Sequence, residues 1–286
     1  MSSINADERN ADQIAFWNGP GGQHWVKRQD AQDMVLAPIA AVALARAAVR
    51  SGERVVDIGC GCGATAIELG GLVAPGGKVL GVDVSAPMLR RAAERVTPGL
   101  SVELVRADAT TYDFAPAHFD LLFSRFGVMF FAEPARSFAN LRRALRPGGR
   151  LLFACWRAPR ENPWLMLPLQ GAYEHVPPLP KLGPEDPGPF SFADPERVER
   201  VLGQAGFESV ALEPVDVVLD IANGGGLDAA VEAALEIGPT SRAIDGQPPA
   251  VLAAVTQSVR KVLAPHLRGR AVPLAAAIWL VTAVSA

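Results

Sequence analysis

From residue 52 to residue 157 the chain repeats one pattern: a short apolar run, a turn, an amphipathic stretch at helical spacing, then another apolar run. The runs are residues 54–58 (RVVDI), 78–82 (KVLGV), 101–105 (SVELV), 119–123 (FDLLF) and 150–156 (RLLFACW). Strands buried on both faces need such runs, and strands joined through helices lie parallel. Helices are expected at 63–72, at 86–96 with Ser85 as N-cap, and at 134–145, where Phe138, Leu141 and Leu145 share a face before Arg-Pro-Gly-Gly stops the helix. With two strand-like runs downstream, 209–221 and 271–284, the pattern predicts an α/β fold on a doubly wound, mostly parallel, seven-stranded sheet.

The flanks divide the rest. Residues 1–50 read as an N-terminal helical lid, in which Gly19-Pro20-Gly21-Gly22 separates an aromatic opening from a long Ala-rich helix; residues 51–158 form the core. Residues 159–195 are dense in proline (PPLP, GPEDPGP) and read as a loop or lid without packed structure, within a segment 159–226 that also continues the core. A helix at 195–205 is capped by Asp194. Two Ala-rich helices, 227–237 and 249–263, make residues 227–268 a helical cap inserted before the final core strand, 269–286. If the last two strands pair, about fifty residues of helix separate neighbours that a tight turn could join, and an insertion of that size usually covers something. Extra scaffold or a homodimer interface is the alternative.

Composition excludes several functions. Lys+Arg 27 against Asp+Glu 30 gives a net charge of −3, unlike the basic surface that holds nucleic acid. The longest uncharged stretch, 271–286, falls short of the about 20 apolar residues of a membrane span. Cys60, Cys62 and Cys155 make no disulfide framework, and the C-x-C pair has no second Cys/His pair to complete a metal site, so no metal is expected. The polar opening MSSINADERNADQ has no signal-peptide pattern, and a reducing cytoplasm is expected.

The chemistry-bearing feature is Asp57-Ile58-Gly59-Cys60-Gly61-Cys62-Gly63, where the first strand turns into the first helix. Glycines there permit a tight turn and let backbone N–H groups approach a ligand, at the edge where open α/β sheets bind ligands. Residues 59–64 also fit G-x-G-x-x-A, so a nicotinamide or flavin dinucleotide competes. Asp57 before the glycines suits a cation better than a pyrophosphate. Asp83 ends the second strand, placed for the two hydroxyls of a ribose, and Asp108 follows the third, placed for an adenine amino group. No Lys or Arg adjoins the loop and no G-K-[ST] occurs.

At these residues the sequence resembles the class I S-adenosylmethionine-dependent methyltransferases. The matching pieces are VVDIGCGCG (55–63), VLGVDVSAPML (79–89), VRADAT (105–110), FDLLFSRFGVMFF (119–131) and LRRALRPGGRLLF (141–153). The flanks, including FWNGPGGQHW (16–25), are similar to the bacterial ubiquinone/menaquinone-biosynthesis-like group. The resemblance implies a Rossmann-like core with S-adenosylmethionine as cofactor and S-adenosylhomocysteine as product. It places Gly59 and Gly61 against the methionine and ribose part, Asp57 near the amino group, and Asp83 on the ribose hydroxyls. Val84 and Met88 would flank the adenine, Asp108 and the Ala109 backbone would read its edge, and Ser124 and Arg125 would line the methionine end.

In similar enzymes the N-terminal segment folds over the cofactor. Here that segment carries Trp17, Gln23, His24 and Trp25, where an aromatic face beside a sulfonium gains cation–π attraction; a helix-capping aromatic anchor is the alternative. Phe126 and Met129 are expected to face an apolar substrate, with Phe130 and Phe131 equally suited to core packing. Tyr173 and His175 are expected to reach the substrate from the lid, and His24, alone among the histidines beside a cofactor element, is the candidate general base. The expected reaction is in-line methyl transfer to a small, partly apolar or aromatic acceptor. The alternatives are an NAD(P)-dependent oxidoreductase, against which Asp57 and Asp108 argue, and a non-catalytic S-adenosylmethionine-binding protein.

Overall fold

The apolar runs become a sheet whose strand ends are held in register at one edge. A computed structural model describes residues 4–183 and 185–285. Residues 1–3 of the expected lid, Pro184 of the proline-rich segment and Ala286 of the expected final strand lie outside the described residues. Helices α1 (Ala11–Asn18), α2 (Pro20–Lys27) and α3 (Gln29–Ala47) precede the sheet. The core then runs β1 (Arg54–Ile58), α4 (Ala64–Leu72), β2 (Lys78–Asp83), α5 (Ala86–Arg95), β3 (Val102–Arg106), β4 (Phe119–Arg125), α6 (Pro134–Ala144) and β5 (Leu145–Trp156). It continues through α7 (Pro163–Ala172), α8 (Pro195–Gln204), β6 (Phe207–Asp220), α9 (Leu227–Glu236), α10 (Gly238–Ala243), α11 (Pro249–Leu263) and β7 (Pro273–Ser285).

The seven strands lie in the order β3-β2-β1-β4-β5-β7-β6. The β1–β2, β1–β4, β2–β3 and β4–β5 pairs are parallel, and β7 runs antiparallel between β5 and β6. The sheet is thus doubly wound and mostly parallel, and α9 to α11 leave between the two strands of the β6–β7 pair. Register fixes the functional edge: Asp57 lies opposite Gly81 and Phe123, and Asp83 opposite Arg106.

Local signals explain the elements. Ser85 caps α5 by accepting from the Met88 N–H at 3.4 Å, and Asp194 caps α8 by accepting from the Glu196 N–H at 3.0 Å. Helix α6 buries Ser137, Phe138, Leu141 and Ala144, the spacing of one helical face. The Phe138 ring packs within 5.6 Å of Phe131 and Phe153, 6.1 Å of Phe192 and 6.4 Å of Phe207, joining α6 to the sheet and to the segment before α8.

Three expectations need correction. The proline-rich segment is not free of packed structure: α7 buries Trp164, Leu165, Leu169 and Ala172 and packs against α10 and α11. Pro163 opens that helix, where its missing N–H costs nothing, and the apolar run that follows outweighs the interior Pro168. The fifth strand begins at Leu145, which pairs with Phe119 before a register shift; pairing resumes between Leu121 and Arg150. The short α10 carried too weak a periodicity to be read. Gly19–Gly22 does break the opening, yet Pro20, Gly21 and Gly22 form the first turn of α2 and leave Gly19 as the joint.

Phe138→Ala should lower stability by about 3–5 kcal/mol, because it leaves a cavity among four aromatic rings. Urea unfolding checks this, and a loss below about 1 kcal/mol would mean that the cluster collapses freely around the gap.

Candidate active site

The site begins with two glycines whose backbone a side chain would strain. Gly59 and Gly61 have φ of 68° and 56°, the left-handed region that side chains disfavour. A Cβ on Gly59 would lie 2.5 Å from the Gly127 Cα, and one on Gly61 would lie 2.8 Å from the Met88 terminal methyl. The loop after β1 and the loop after β4 therefore touch backbone to backbone. Sequence reading missed Gly127, although the glycine two residues beyond β4 was its signal.

Asp83 organises the loop. One carboxylate oxygen accepts from the Gly61 N–H and the other from the Ser85 N–H, both at 2.8 Å. Burial pushes its pKa up, and these backbone donors oppose the rise. Each oxygen keeps a free lone pair for a ligand hydroxyl. Asp108 is similar: it accepts from the Thr110 N–H at 2.9 Å and from the Asp7 N–H at 3.1 Å.

Asp57 and Ser124 lie beneath the wall. Asp57 is fully buried; one oxygen accepts from the Thr65 hydroxyl at 2.7 Å, and the other has no partner among the described residues. Burial pushes its pKa up to about 7, against the Thr65 hydrogen bond and the Arg125 charge. Ser124, expected to line the methionine end, is fully buried instead. Its hydroxyl donates to the Ile58 carbonyl at 2.7 Å and accepts from the Gly127 N–H at 3.2 Å, fastening β4 to β1.

Above this floor lies a cavity of about 460 Å³, within the usual range for small-molecule sites. Of the expected residues, Trp17, His24, Trp25, Gly59, Gly61, Asp83, Val84, Met88, Asp108, Ala109, Arg125, Phe126 and Met129 line it. Arg125 is half-buried and makes no ion pair among the described residues; burial lowers its pKa, while Asp33, Asp57 and Glu68 hold it up. Phe126 carries a strained φ of 69° and stacks on Trp156 at 4.1 Å, and Trp156 in turn meets Trp164 at 5.1 Å. Trp17 contacts Trp25 and Phe130 edge-on.

Tyr173 and His175 do not line the cavity. The Tyr173 hydroxyl accepts from the Leu179 N–H at 3.2 Å, and His175 Nε2 lies 2.8 Å from the Ser258 hydroxyl of α11, so both serve the packing of α7. Sequence reading missed Asn10, Arg28, Gln32, Asp33 and Glu236 on the wall. Arg28 Nη1 meets Glu232 at 3.0 Å and Glu236 at 2.9 Å, and Lys27 meets Glu236 at 3.0 Å, joining the N-terminal helices to α9. Asp33 pairs with Arg95 at 2.7 Å, whose guanidinium also donates to the Cys62 carbonyl of the glycine loop. Asn10 and Gln32 are buried, and the side-chain oxygen of each lacks a partner among the described residues. Among the described residues no group of His, Cys, Asp and Glu is placed to hold a metal, and no helix is long and apolar enough to cross a membrane.

Residues 55–149 match a family model described as a methyltransferase domain. The chain is 31% identical over 180 residues to the ubiquinone/menaquinone biosynthesis C-methyltransferase of Serratia proteamaculans, covering 57% of this chain and 69% of that protein. It belongs to the class I S-adenosylmethionine-dependent methyltransferases. The corresponding Pseudomonas aeruginosa protein is also 31% identical, over 175 residues, covering 57% of this chain and 68% of its own. Among solved structures, phosphoethanolamine N-methyltransferase 2 of Haemonchus contortus in complex with S-adenosyl-L-methionine has a TM-score of 0.58 at 19% identity, covering 98% of this chain and 60% of its own. The [4+2]-cyclase SpnF has a TM-score of 0.55 at 15% identity, covering 99% and 98%. Both likenesses show the fold. The dinucleotide-oxidoreductase and non-catalytic alternatives find no support among these relatives.

Asp57 sets a pH dependence. Its folded pKa of about 7 stands above its ordinary 3.8, so between these values the folded protein holds a proton that the unfolded chain releases. Its contribution to stability is therefore fully present below the ordinary value and is lost as pH rises through about 7. The ligand-free Asp57→Asn variant should lack this loss and melt above the wild type at pH 8, with a smaller gain at pH 5. Paired thermal melts at the two pH values check it, and an equal gain at both would assign the effect to something other than this proton.

Proposed function

We propose that the protein transfers the methyl group of S-adenosylmethionine to a small, partly apolar or aromatic acceptor held in the aromatic half of the cavity. The carrying observation is that one cavity joins an acidic end, at Asp83 and Asp108, to an aromatic end, at Phe126, Trp156 and Trp164. The free lone pairs that Asp83 and Asp108 keep beside their backbone donors suit a ligand that brings hydroxyl and N–H donors.

Bound S-adenosylmethionine supplies a methyl group on a positively charged sulfur, already activated for displacement. Asp83 would hold the ribose hydroxyls, Asp108 and the Ala109 backbone the adenine edge, and Val84 and Met88 its faces. Arg125, which makes no ion pair among the described residues, would take the carboxylate of the methionine end. The Phe126–Trp156 stack and Met129 would set the acceptor, and Trp17 and Trp25 would face the sulfonium. The protein's contribution is then orientation and exclusion of water. His24, at the rim, would take the proton from an acceptor that must lose one.

The N-terminal helices and the insertion α9 to α11 would act as two lips, tied by Arg28 and Lys27 to Glu232 and Glu236, that close over the reactants. Three buried cysteines, free of disulfides, suit a reducing cytoplasm, and the net charge of −3 suits a small molecule over nucleic acid.

Calorimetric titration tests the reading. S-adenosylmethionine and S-adenosylhomocysteine should bind and NADH should not, and Asp83→Ala should weaken both by about 10- to 100-fold through lost charge-assisted hydrogen bonds. Binding of NADH alone would overturn it. A screen of phenolic, indolic and alicyclic acceptors, read by S-adenosylhomocysteine release, would then assign the substrate.

A further inference from the structure

The last residue of β5, Trp156, stands at the aromatic end of the cavity and is held there from several sides. It lies opposite Ile278 of β7, and the residue after it is fastened too, the Arg157 N–H donating to the Ala277 carbonyl at 3.0 Å. Its ring is clamped between two others. Phe126 lies nearly parallel to it, 12° off at 4.1 Å, and Trp164 meets it at 5.1 Å and 49°. Phe126 keeps this place in a left-handed backbone with φ of 69°, and its N–H donates to the Ala154 carbonyl at 3.0 Å.

The clamp leaves the indole edge open. Trp156 is 5% exposed, and the cavity is the space it lines. Neither its N–H nor that of Trp164 makes a hydrogen bond among the described residues. The Trp164 N–H is sealed within the packing; the Trp156 N–H is not, and so opens onto the cavity. Phe126 and Met129, on the same wall, bring no side-chain N–H or O–H. A Trp N–H in such surroundings usually has a partner, and an indole can only donate. The partner that fits is a lone pair on the molecule held there.

Resting on the S-adenosylmethionine reading, we propose that Trp156 positions the methyl acceptor and restricts its class: the indole N–H donates to an oxygen on the acceptor's ring, a carbonyl, phenol or phenolate, so that a ring of the same shape without that oxygen binds less well. One fixed donor among apolar walls discriminates in this way because the wrong ligand covers the N–H without pairing it. The same bond sets orientation, since a single directed contact in an apolar slot decides which atom of the ring is presented.

The test uses the protein saturated with S-adenosylhomocysteine and two probes of one shape, acetophenone and α-methylstyrene, in which a methylene replaces the carbonyl oxygen. In nitrogen–proton spectra of the wild type, the Trp156 indole signal should move to lower field with acetophenone and not with α-methylstyrene, a reading independent of how any variant folds. Trp156→Phe, which keeps a ring for Phe126 to stack on and removes the N–H, should bind acetophenone about tenfold more weakly and α-methylstyrene within about twofold of the wild type. An indole signal that answers both probes alike, or equal weakening of both by the substitution, would overturn the hydrogen bond and leave Trp156 an apolar wall. Cavity tryptophan signals that neither probe moves would overturn the aromatic-acceptor reading and the hydrogen bond with it. Protein that does not bind S-adenosylhomocysteine would overturn the cofactor reading first.

Discussion

The glycine loop keeps its shape because one carboxylate serves two stretches of backbone. Asp83 accepts from Gly61 on one side and from Ser85 on the other, so it holds the turn after β1 against the turn after β2. Replacing it by alanine would leave two N–H groups without these partners at that edge of the sheet, and the left-handed glycines would lose the restraint that orders them. Gly127 completes the arrangement from β4, since it lies against Gly59 with no room for a side chain between. The cavity floor is a consequence of these contacts, and its acidic character follows from the need for acceptors at the ends of parallel strands.

What the sequence disclosed follows from where the information is local. The positions of Asp83 and Asp108 on the cavity wall were legible because each ends or follows an apolar run, and parallel register carries successive run ends to one edge, whereas Asp57, within the first run, is buried beneath it. Ser124 was misplaced for a local reason too. Consecutive strand residues point to opposite faces, so Ser124 and Arg125 cannot both line one wall. Arg125 does, and Ser124 ties β4 to β1 instead.

The features that stayed hidden depend on long-range contacts. Asn10 and Gln32 reach the wall because α1 and α3 pack over the sheet edge, and neither carries a motif. The Arg28–Glu236 pair joins residues more than two hundred positions apart. Tyr173 and His175 stand near the cavity in sequence terms, yet they follow a helix whose packing against α11 turns them toward Leu179 and Ser258. Helix α7 was obscured by counting prolines where their positions in the turn decided the outcome.

The β6–β7 pair has a consequence for how such a protein diversifies. Its strands match residue for residue from Ala211–Thr282 to Asp220–Pro273, and only beyond that ladder does the chain depart into α9, α10 and α11. A change in the length or composition of those helices meets a finished edge of the sheet, far along the chain from the glycine loop and from the aspartates of β1 and β2. The scaffold thus offers a mounting point where those helices can vary while the strands that carry the glycine loop and the aspartates keep their register.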